Sequence, residues 1–445
     1  MRAALSSGLE TDLHKIKALP TREIDLNCGI MSFSEKPMKS ETSVETDVCI
    51  VGAGPVGGSL ACRLGMAGVR VAVIDRAPLP PMEHPDFDGR AYAIAAGSRR
   101  LLQLAGVWER LPQTPCPIHH IRVSDGRVGQ PASSLFLHFD RHEVDAEAFG
   151  WMVEARALRV ALNAQLHALS GVMVFAPAQV SVERTADSAI VLAETPEVRV
   201  RLTCRLVVAA DGRESGLRTQ AGIPITRFGY DQTGIVTAVA HERDHQNVAL
   251  EHFLPAGPFA QLPMSPTPEA PHVSAPHVSA IVWTERRAAA SRLLALDDAR
   301  FGREIARRLG GHLGQVRPIG RRWSYPLGAL HAHRYYADRL ALIGDAAHGI
   351  HPIAGQGLNL GFRDVAALAT LLTEAGDPGA SAVLAAYQRQ RRPDNLLMLA
   401  ATDGLDRLFS SDNPMLRLMR DVGIATVHRA PRLKRLFMRT AMGAS

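Results

Sequence analysis

No run of this 445-residue chain approaches the roughly 20 consecutive apolar residues of a membrane-spanning helix. The uncharged run that opens at Val48 ends at Arg63 and holds a glycine-rich turn instead of an apolar core. Cysteine is scarce. The five thiols, Cys28, Cys49, Cys62, Cys116 and Cys204, are odd in number, scattered and never spaced C-x-x-C. This argues for a reducing compartment and against a disulfide framework or a structural zinc. The first forty residues are charged throughout and lack the apolar core of a secretory leader. A disordered extension over residues 1–45 is expected, and Met31 and Met38 leave open a shorter translated product. Neither sign of charge dominates, since 50 Lys and Arg face 44 Asp and Glu for a formal net charge of +6. That mild excess favours anionic surfaces and ligands. With no zinc-finger spacing or RNA-binding aromatic signature, no nucleic-acid partner is expected. A hydrophobic share of 46% with 21% charged residues is ordinary for a globular protein, and the length suggests two or three domains.

The densest signal runs from Thr46 to Arg76. Val48 to Val51 has the composition of a strand buried on both faces and leads into Gly52-Ala53-Gly54-Pro55-Val56-Gly57. Gly52 permits the tight turn, Gly54 lets the backbone approach a pyrophosphate, and Gly57 lets the following helix lie close to the strand. The helix N-terminus turns free N–H groups and the positive end of its dipole toward phosphate. A second buried strand, Val69 to Ile74, ends at Asp75, where a carboxylate accepts hydrogen bonds from a ribose. Strand, glycine turn, helix, strand and terminal acid in that order mark the ADP half of NAD or FAD without saying which.

Beyond a proline-rich loop, Arg90 lies just past the nucleotide-binding unit, where an anion contact competes with a solvated loop charge. Ser98 is a plausible N-cap for a helix with Leu101, Leu102 and Ala105 on its apolar face and Gly106 as its stop. Helical periodicity over Gly150 to Leu169 puts Arg156 near the start of a second helix. Short alternating strands follow, and Arg205 to Ala210 is a further buried strand ending at Asp211-Gly212, where open α/β sheets bind ligands. From Phe228 to Tyr325 the texture becomes short strands and turns, with Phe253 to Met264 as two strands and a helix over Leu293 to Leu309. This block is expected to be a sheet-rich domain inserted into the first. Its tandem APHVS repeat, Ala270 to Ser279, predicts an exposed linker and not a metal loop.

Leu340 to Ile343 resumes the buried-strand texture and enters Gly344-Asp345-Ala346-Ala347-His348, then Pro352 and Gly357-Leu358-Asn359, before a helix to about Ala375. This crossing offers a second helix N-terminus to an anion or a developing negative charge. His348 and His351 stand i, i+3 with no third ligand in sequence, so packing is expected of them and no metal. From Gly404 the chain reads as a helical pair with eight Lys and Arg against three Asp. A solvated basic face and attachment to an anionic membrane surface both suit it.

These motifs, in this order, resemble the class A FAD-dependent aromatic monooxygenases of the para-hydroxybenzoate hydroxylase-like fold. Within them the chain is most similar to ubiquinone-biosynthesis hydroxylases of the UbiH, UbiF and VisC kind. The resemblance rests on Gly52 to Gly57 with Asp75-Arg76, Asp88 to Ile94, Ala210 to Ser215, and Gly344 through Pro352 to Asn359. One departure is Asp75, where such enzymes usually carry Glu. The resemblance implies an α/β, Rossmann-like FAD-binding domain over residues 46–225 and 336–400. A β-sheet substrate domain is inserted at 226–335, and C-terminal helices occupy 401–445. It implies cofactor contacts at Gly52, Gly54, Pro55, Gly57, Asp75, Arg76, Arg90, Arg156, Asp211, Gly212, Gly344, Asp345, Gly357, Leu358 and Asn359. In that scheme Gly344-Asp345 meets the FAD ribitol, Asp211-Gly212 lies near the pyrophosphate, and Pro352, Gly357 and Leu358 position the flavin with no side-chain nucleophile. It further implies NAD(P)H as reductant, O2 and a polyprenylphenol as substrates, and ring hydroxylation as the reaction. A cytoplasmic protein peripheral to the inner membrane, or bound to a biosynthetic complex, follows from the C-terminal helices. A hydroxylase of small aromatics and a non-catalytic FAD-binding subunit are the alternatives.

Overall fold

The computed structural model describes residues 41–79, 89–129, 136–266, 277–409 and 430–443. The first part of the chain forms β1 (Glu41–Val51), α1 (Pro55–Met66), β2 (Val71–Ile74), β3 (Ala91–Ala95), α2 (Ala96–Leu104), β4 (Cys116–Ile118), β5 (His120–Asp125) and β6 (Phe136–Asp140). It continues through β7 (Gly150–Glu154), α3 (Ala155–Ala168), β8 (Val172–Phe175), β9 (Gln179–Arg184), β10 (Ala189–Glu194), β11 (Arg199–Ala209) and α4 (Gly216–Gln220). Next come β12 (Ile225–His241), β13 (Val248–Leu254), β14 (Gly257–Met264), β15 (His277–Arg286), α5 (Arg287–Leu294) and α6 (Asp298–Leu309). The last described elements are β16 (Val316–Ala332), β17 (Tyr336–Ala337), β18 (Leu340–Leu342), β19 (His348–Gly349), α7 (Gln356–Glu374), α8 (Ser381–Phe409) and α9 (Pro431–Met442).

Val48 to Val51 are buried on both faces, and β1 accordingly lies in the middle of a sheet ordered β17-β18-β11-β1-β2-β8. β1 pairs in parallel with β11 and β2, and β11 in parallel with β18. The carboxyl ends of these four strands therefore share one edge. Three segments far apart in sequence, following Val51, Ala209 and Leu342, leave the sheet together. β1 opens at Glu41, paired with Arg199, ahead of the residue-46 start expected of the first domain.

A second sheet runs β19-β16-β12-β15-β14-β13-β5-β6, so the sheet-rich block also takes two strands from residues 120–140. Its strands alternate. Leu254, Phe259, Ile281 and Trp283 point outward and pack under Phe301, Ile305 and Leu309 of α6. That helix is well formed at both ends. Asp297 caps it by accepting from the Arg300 N–H at 2.7 Å, and Arg307 and Arg308 face the negative end of its dipole. On the inner face, Ala249, Met264, Val278 and Ala280 pack on Phe149 and Met152 of a small sheet ordered β3-β7-β4. Farther along, Phe253 packs with Leu137, Ile353 and Phe409, the last ring at a centroid distance of 3.9 Å.

Gly150 to Glu154 is strand, not the first turn of a helix, because its residues are buried on both sides between β3 and β4. A Cβ on Gly150 would come within 2.6 Å of the Ile94 carbonyl. Ser98 does not cap α2, which begins at Ala96 behind an uncapped Ala95. The helix expected over Leu293 to Leu309 is two helices, α5 and α6, broken before the Asp297 cap. The C-terminal helical run starts at Ser381, not near Gly404, and contains Pro393. The second copy of the APHVS repeat is no exposed linker, since His277-Val278-Ser279 opens β15 with Ser279 fully buried. The first copy, the N-terminal extension to residue 40 and residues 410–429 lie outside the described residues.

Candidate active site

At the first crossing Gly52 adopts φ +109°, and a Cβ there would strike the Ala210 carbonyl oxygen at 2.3 Å. A Cβ on Gly57 would sit 2.0 Å from the Gly52 carbonyl oxygen, so only glycine lets α1 start this close to β1. At Gly54 a Cβ would meet nothing within 4 Å, which leaves open space beside a helix start that no side chain caps. Pro55 at the first helical turn supplies the fixed φ and removes one donor that would have no helical partner. Asp75, half-buried at the end of β2, braces this turn. Its Oδ2 accepts from the Ala53 N–H at 2.7 Å and its Oδ1 from the Ala77 N–H at 2.9 Å. Arg76 beside it is exposed.

The second crossing lies against the first through Ala210. Gly212 has φ +85° and again faces open space. Asp211 accepts from the Leu217 N–H at 3.4 Å through Oδ2, while its buried Oδ1 has no hydrogen-bond partner among the described residues. Arg218, 3% exposed, fastens this loop to the third crossing. Its guanidinium donates to the Arg213 carbonyl at 2.8 Å and to the Ala346 carbonyl at 2.9 Å.

At the third crossing Gly344 has φ +57° and lies against Val56 of α1, as does Gly361 of α7. This contact brings the start of α7 beside the start of α1. Gly344 is held from below by Asp364, a residue with no exposure. Asp364 Oδ2 accepts from the Gly344 N–H at 3.0 Å and lies 2.5 Å from His348 Nε2. Its Oδ1 accepts from Arg391 Nε at 2.8 Å and Asn395 Nδ2 at 3.2 Å. Burial alone would push this carboxyl up, but His348 and Arg391 more than reverse it and hold it below the ordinary range. Asn395 continues the network by donating to the Tyr335 hydroxyl at 3.2 Å.

Asp345 is exposed and pairs with Arg213 Nε at 3.0 Å. Pro352 ends a segment in which fully buried His351 lies 3.3 Å from Gln232 Oε1 and edge-on to Tyr230. Gly355, at φ +61°, starts α7 without a side-chain cap; Gly357 faces open space and Leu358 is half-buried against the core. The Asn359 amide is fully used: it accepts from the Ala95 N–H at 2.9 Å and Ser98 Oγ at 2.8 Å, and donates to the Ala93 and Gly355 carbonyls. Asn359 therefore fixes β3 and α2 to the start of α7. Arg90 and Arg156, the remaining two expected contacts, each have a partner on a neighbouring strand. The Arg90 guanidinium stacks 4.2 Å from the Trp323 ring centroid, and Arg156 reaches Glu154 Oε2 at 3.4 Å.

FAD fits the residues present. Three glycines whose Cβ positions are empty, two uncapped helix starts and an unpartnered Asp211 oxygen collect at one sheet edge, as a dinucleotide requires. Asp364 and Arg218 carry no motif and have no role in the sequence reading, and Ser98, expected as a helix cap, is instead a partner of Asn359. The spacing of Asp364 eight residues into a helix after the third glycine turn was the one signal available.

A family model described as FAD binding domain matches residues 45–401. The ubiquinone hydroxylase UbiL of Rhodospirillum rubrum is 48% identical over 413 residues, covering 92% of both chains. The 3-demethoxyubiquinol 3-hydroxylase of Escherichia coli is 35% identical over 90% of this chain and 100% of its own. Among solved structures, p-nitrophenol 4-monooxygenase PnpA of Pseudomonas putida superimposes with a TM-score of 0.70 at 20% identity, covering 90% of this chain and 98% of that one. This last likeness is one of fold.

Proposed function

The chain belongs to the FAD-binding-domain family of ubiquinone-biosynthesis hydroxylases, and from that premise we propose that it hydroxylates the aromatic ring of a polyprenylated phenol, using O2 and NAD(P)H. The observation that carries this reading is the meeting of the three glycine crossings at one sheet edge, beside a second sheet whose inner face packs apolar residues on Met152 and on Ile353. Bound FAD supplies the redox chemistry that puts one atom of dioxygen into the ring and releases the other as water.

The chain's own residues hold, orient and enclose. The space over Gly54 and the N–H groups of α1 suit the pyrophosphate, and Asp75, whose two oxygens each keep a further lone pair, suits the ribose. Gly212, Gly344 and Asp345 line the same edge. The uncapped start of α7 favours negative charge placed beside Gly357 and Leu358. Pro352 and Asn359 set the position of that start. The inner face of the second sheet excludes water from the reacting atoms. A strain lacking the gene is expected to accumulate a prenylphenol short of one ring hydroxyl. Normal ubiquinone with no such intermediate would defeat the reading.

Contact with a membrane surface is part of the proposal. Along α8, Leu396, Leu397, Ala400, Ala401, Gly404 and Leu405 form an exposed apolar stripe at helical spacing, where a solvated helix carries polar groups. On α9, Arg432, Arg435 and Arg439 are exposed beside Leu436 and Phe437. Apolar groups flanked by cations suit the headgroup region of an anionic bilayer, where a polyprenylated substrate resides.

A further inference from the structure

The inner face of the second sheet carries one acid in a row that is otherwise apolar. Strand registry lines up Val123, Glu251, Ala260, Val282 and Val236 across β5, β13, β14, β15 and β12. Rows to either side are covered. Ala249, two residues before Glu251, packs with Met152 of the small sheet, and Phe253, two residues after it, packs with Ile353 next to Pro352. In the row between them cover is incomplete: Val123 packs against the cluster of Leu137 and Phe253, and Ala260 is buried, but Glu251, Val282 and Val236 each keep part of their surface accessible, while helices cover the opposite face of the same strands. These partly accessible side chains stand between the Met152 contact on one side and the Ile353 contact on the other.

No hydrogen bond or ion pair reaches the Glu251 carboxyl among the described residues, and although part of the side chain is accessible, the protein packed around it desolvates the carboxyl and pushes it up to about 7. The charged groups on neighbouring elements do not oppose it. β5 presents Asp125 on this face beside Phe253, and α8 presents Asp406, turned to Gln232 and His351; β6, β14, β15 and β12 offer no charge in the flanking rows. An acid set in such a place, without a structural partner, costs stability and is explained by a ligand that uses it.

We propose that Glu251 lines the substrate cavity and accepts the proton of the substrate's ring hydroxyl. The inference rests on the ring-hydroxylase reading. The phenol O–H bond breaks, its proton passes to a Glu251 oxygen, and the electron pair stays on the phenolate. That charge raises electron density at the ring carbons ortho and para to it, where the electrophilic oxygen bonds. The displaced ring C–H proton restores the hydroxyl, and Glu251 gives its proton to the second oxygen atom, which leaves as water. Electrons come from NAD(P)H and the oxygen from O2, as in the proposed activity.

The test compares wild type, Glu251→Gln and Glu251→Asp as full-length protein. One arm needs neither FAD nor turnover: 4-nitrophenol, whose ionised form absorbs visible light, is titrated while bound to each protein. Its midpoint is expected to differ by about one pH unit or more between wild type and Glu251→Gln, since a touching carboxyl titrates with it. The other arm uses FAD-loaded protein and a short-chain prenylphenol. Glu251→Gln is expected to retain FAD and oxidise NAD(P)H while forming product about a hundredfold more slowly. Glu251→Asp, or a fluorinated and already ionised phenol, should recover part of the loss. An unchanged nitrophenol midpoint or an unchanged yield of product per NAD(P)H overturns the proposal. A wild type that shows the midpoint difference yet hydroxylates no prenylphenol keeps Glu251 as the base of this cavity and overturns the substrate reading instead.

Discussion

At Gly54 a side chain would enter open space beside α1, so Gly54→Val is expected to leave the apo fold intact and weaken FAD retention at least about tenfold, or ~1.4 kcal/mol. Flavin absorbance after gel filtration reads this, and full occupancy would remove Gly54 from the site. Asp345 and Asp364, 19 positions apart, should behave differently. Asp345→Ala breaks an ion pair that is half-exposed on both sides, worth no more than about 1 kcal/mol, and its effect should fall on FAD retention. Asp364→Asn takes the counter-charge from His348 and leaves buried Arg391 with Asp394 alone, and should cost about 3–5 kcal/mol in urea unfolding of the apo protein. The Asp364 carboxyl is held below its unfolded value of ~3.9, so its contribution is complete above that pH and disappears as pH falls through the lowered value. Glu251 has the opposite sign. Raised to about 7, it binds a proton more tightly folded than unfolded, so stability falls as pH rises from ~4.3 toward 7. Glu251→Gln should flatten that fall in a thermal melt series.

At the scale of elements, the strand-to-helix crossings were legible because glycine has few reasons to recur at a strand end. Gly52 and Gly57 meet backbone at under 2.5 Å from a built Cβ, and such sterics are written in the sequence. The fastening between crossings was not legible. Arg218 lies 128 residues from Ala346, and Asp364 gathers partners from β19, α8 and the Gly344 turn, none at a spacing that marks an interaction. Arg218→Ala should leave the buried Ala346 carbonyl without this donor and the part-buried Arg213 carbonyl with Arg227 alone, cost about 1.5–3 kcal/mol, and loosen FAD at the same time. Loss of stability with unchanged FAD affinity would show that the two loops do not depend on each other. Helix limits were misjudged where tertiary pairing outweighs local pattern. Gly150 to Glu154 has a helix-compatible apolar run but is claimed by β3 and β4, and α8 continues through Pro393, which reads as a stop. Glu251 stayed hidden because one acid in an alternating strand looks like a solvent-facing position until registry assigns its face.

Over the whole molecule, the two sheets differ in what they hold: the first gathers the three glycine crossings at one edge, and the second packs apolar residues of its inner face on the β3-β7-β4 sheet. The exposed stripe on α8 and the cations of α9 add an outward surface. Flotation with anionic vesicles is expected for the full chain and should weaken with added salt or with Leu397→Asp, at unchanged FAD content. Flotation unaffected by either change would separate membrane contact from these helices. The central claim, that this chain inserts oxygen into a phenol ring from an FAD-binding edge built of three crossings, is tested most directly with 18O2. Purified protein, reconstituted with FAD and given NAD(P)H and a short-chain prenylphenol, should place one labelled oxygen in the ring for each reductant consumed. Product without label, or a protein that takes up no flavin, would contradict it.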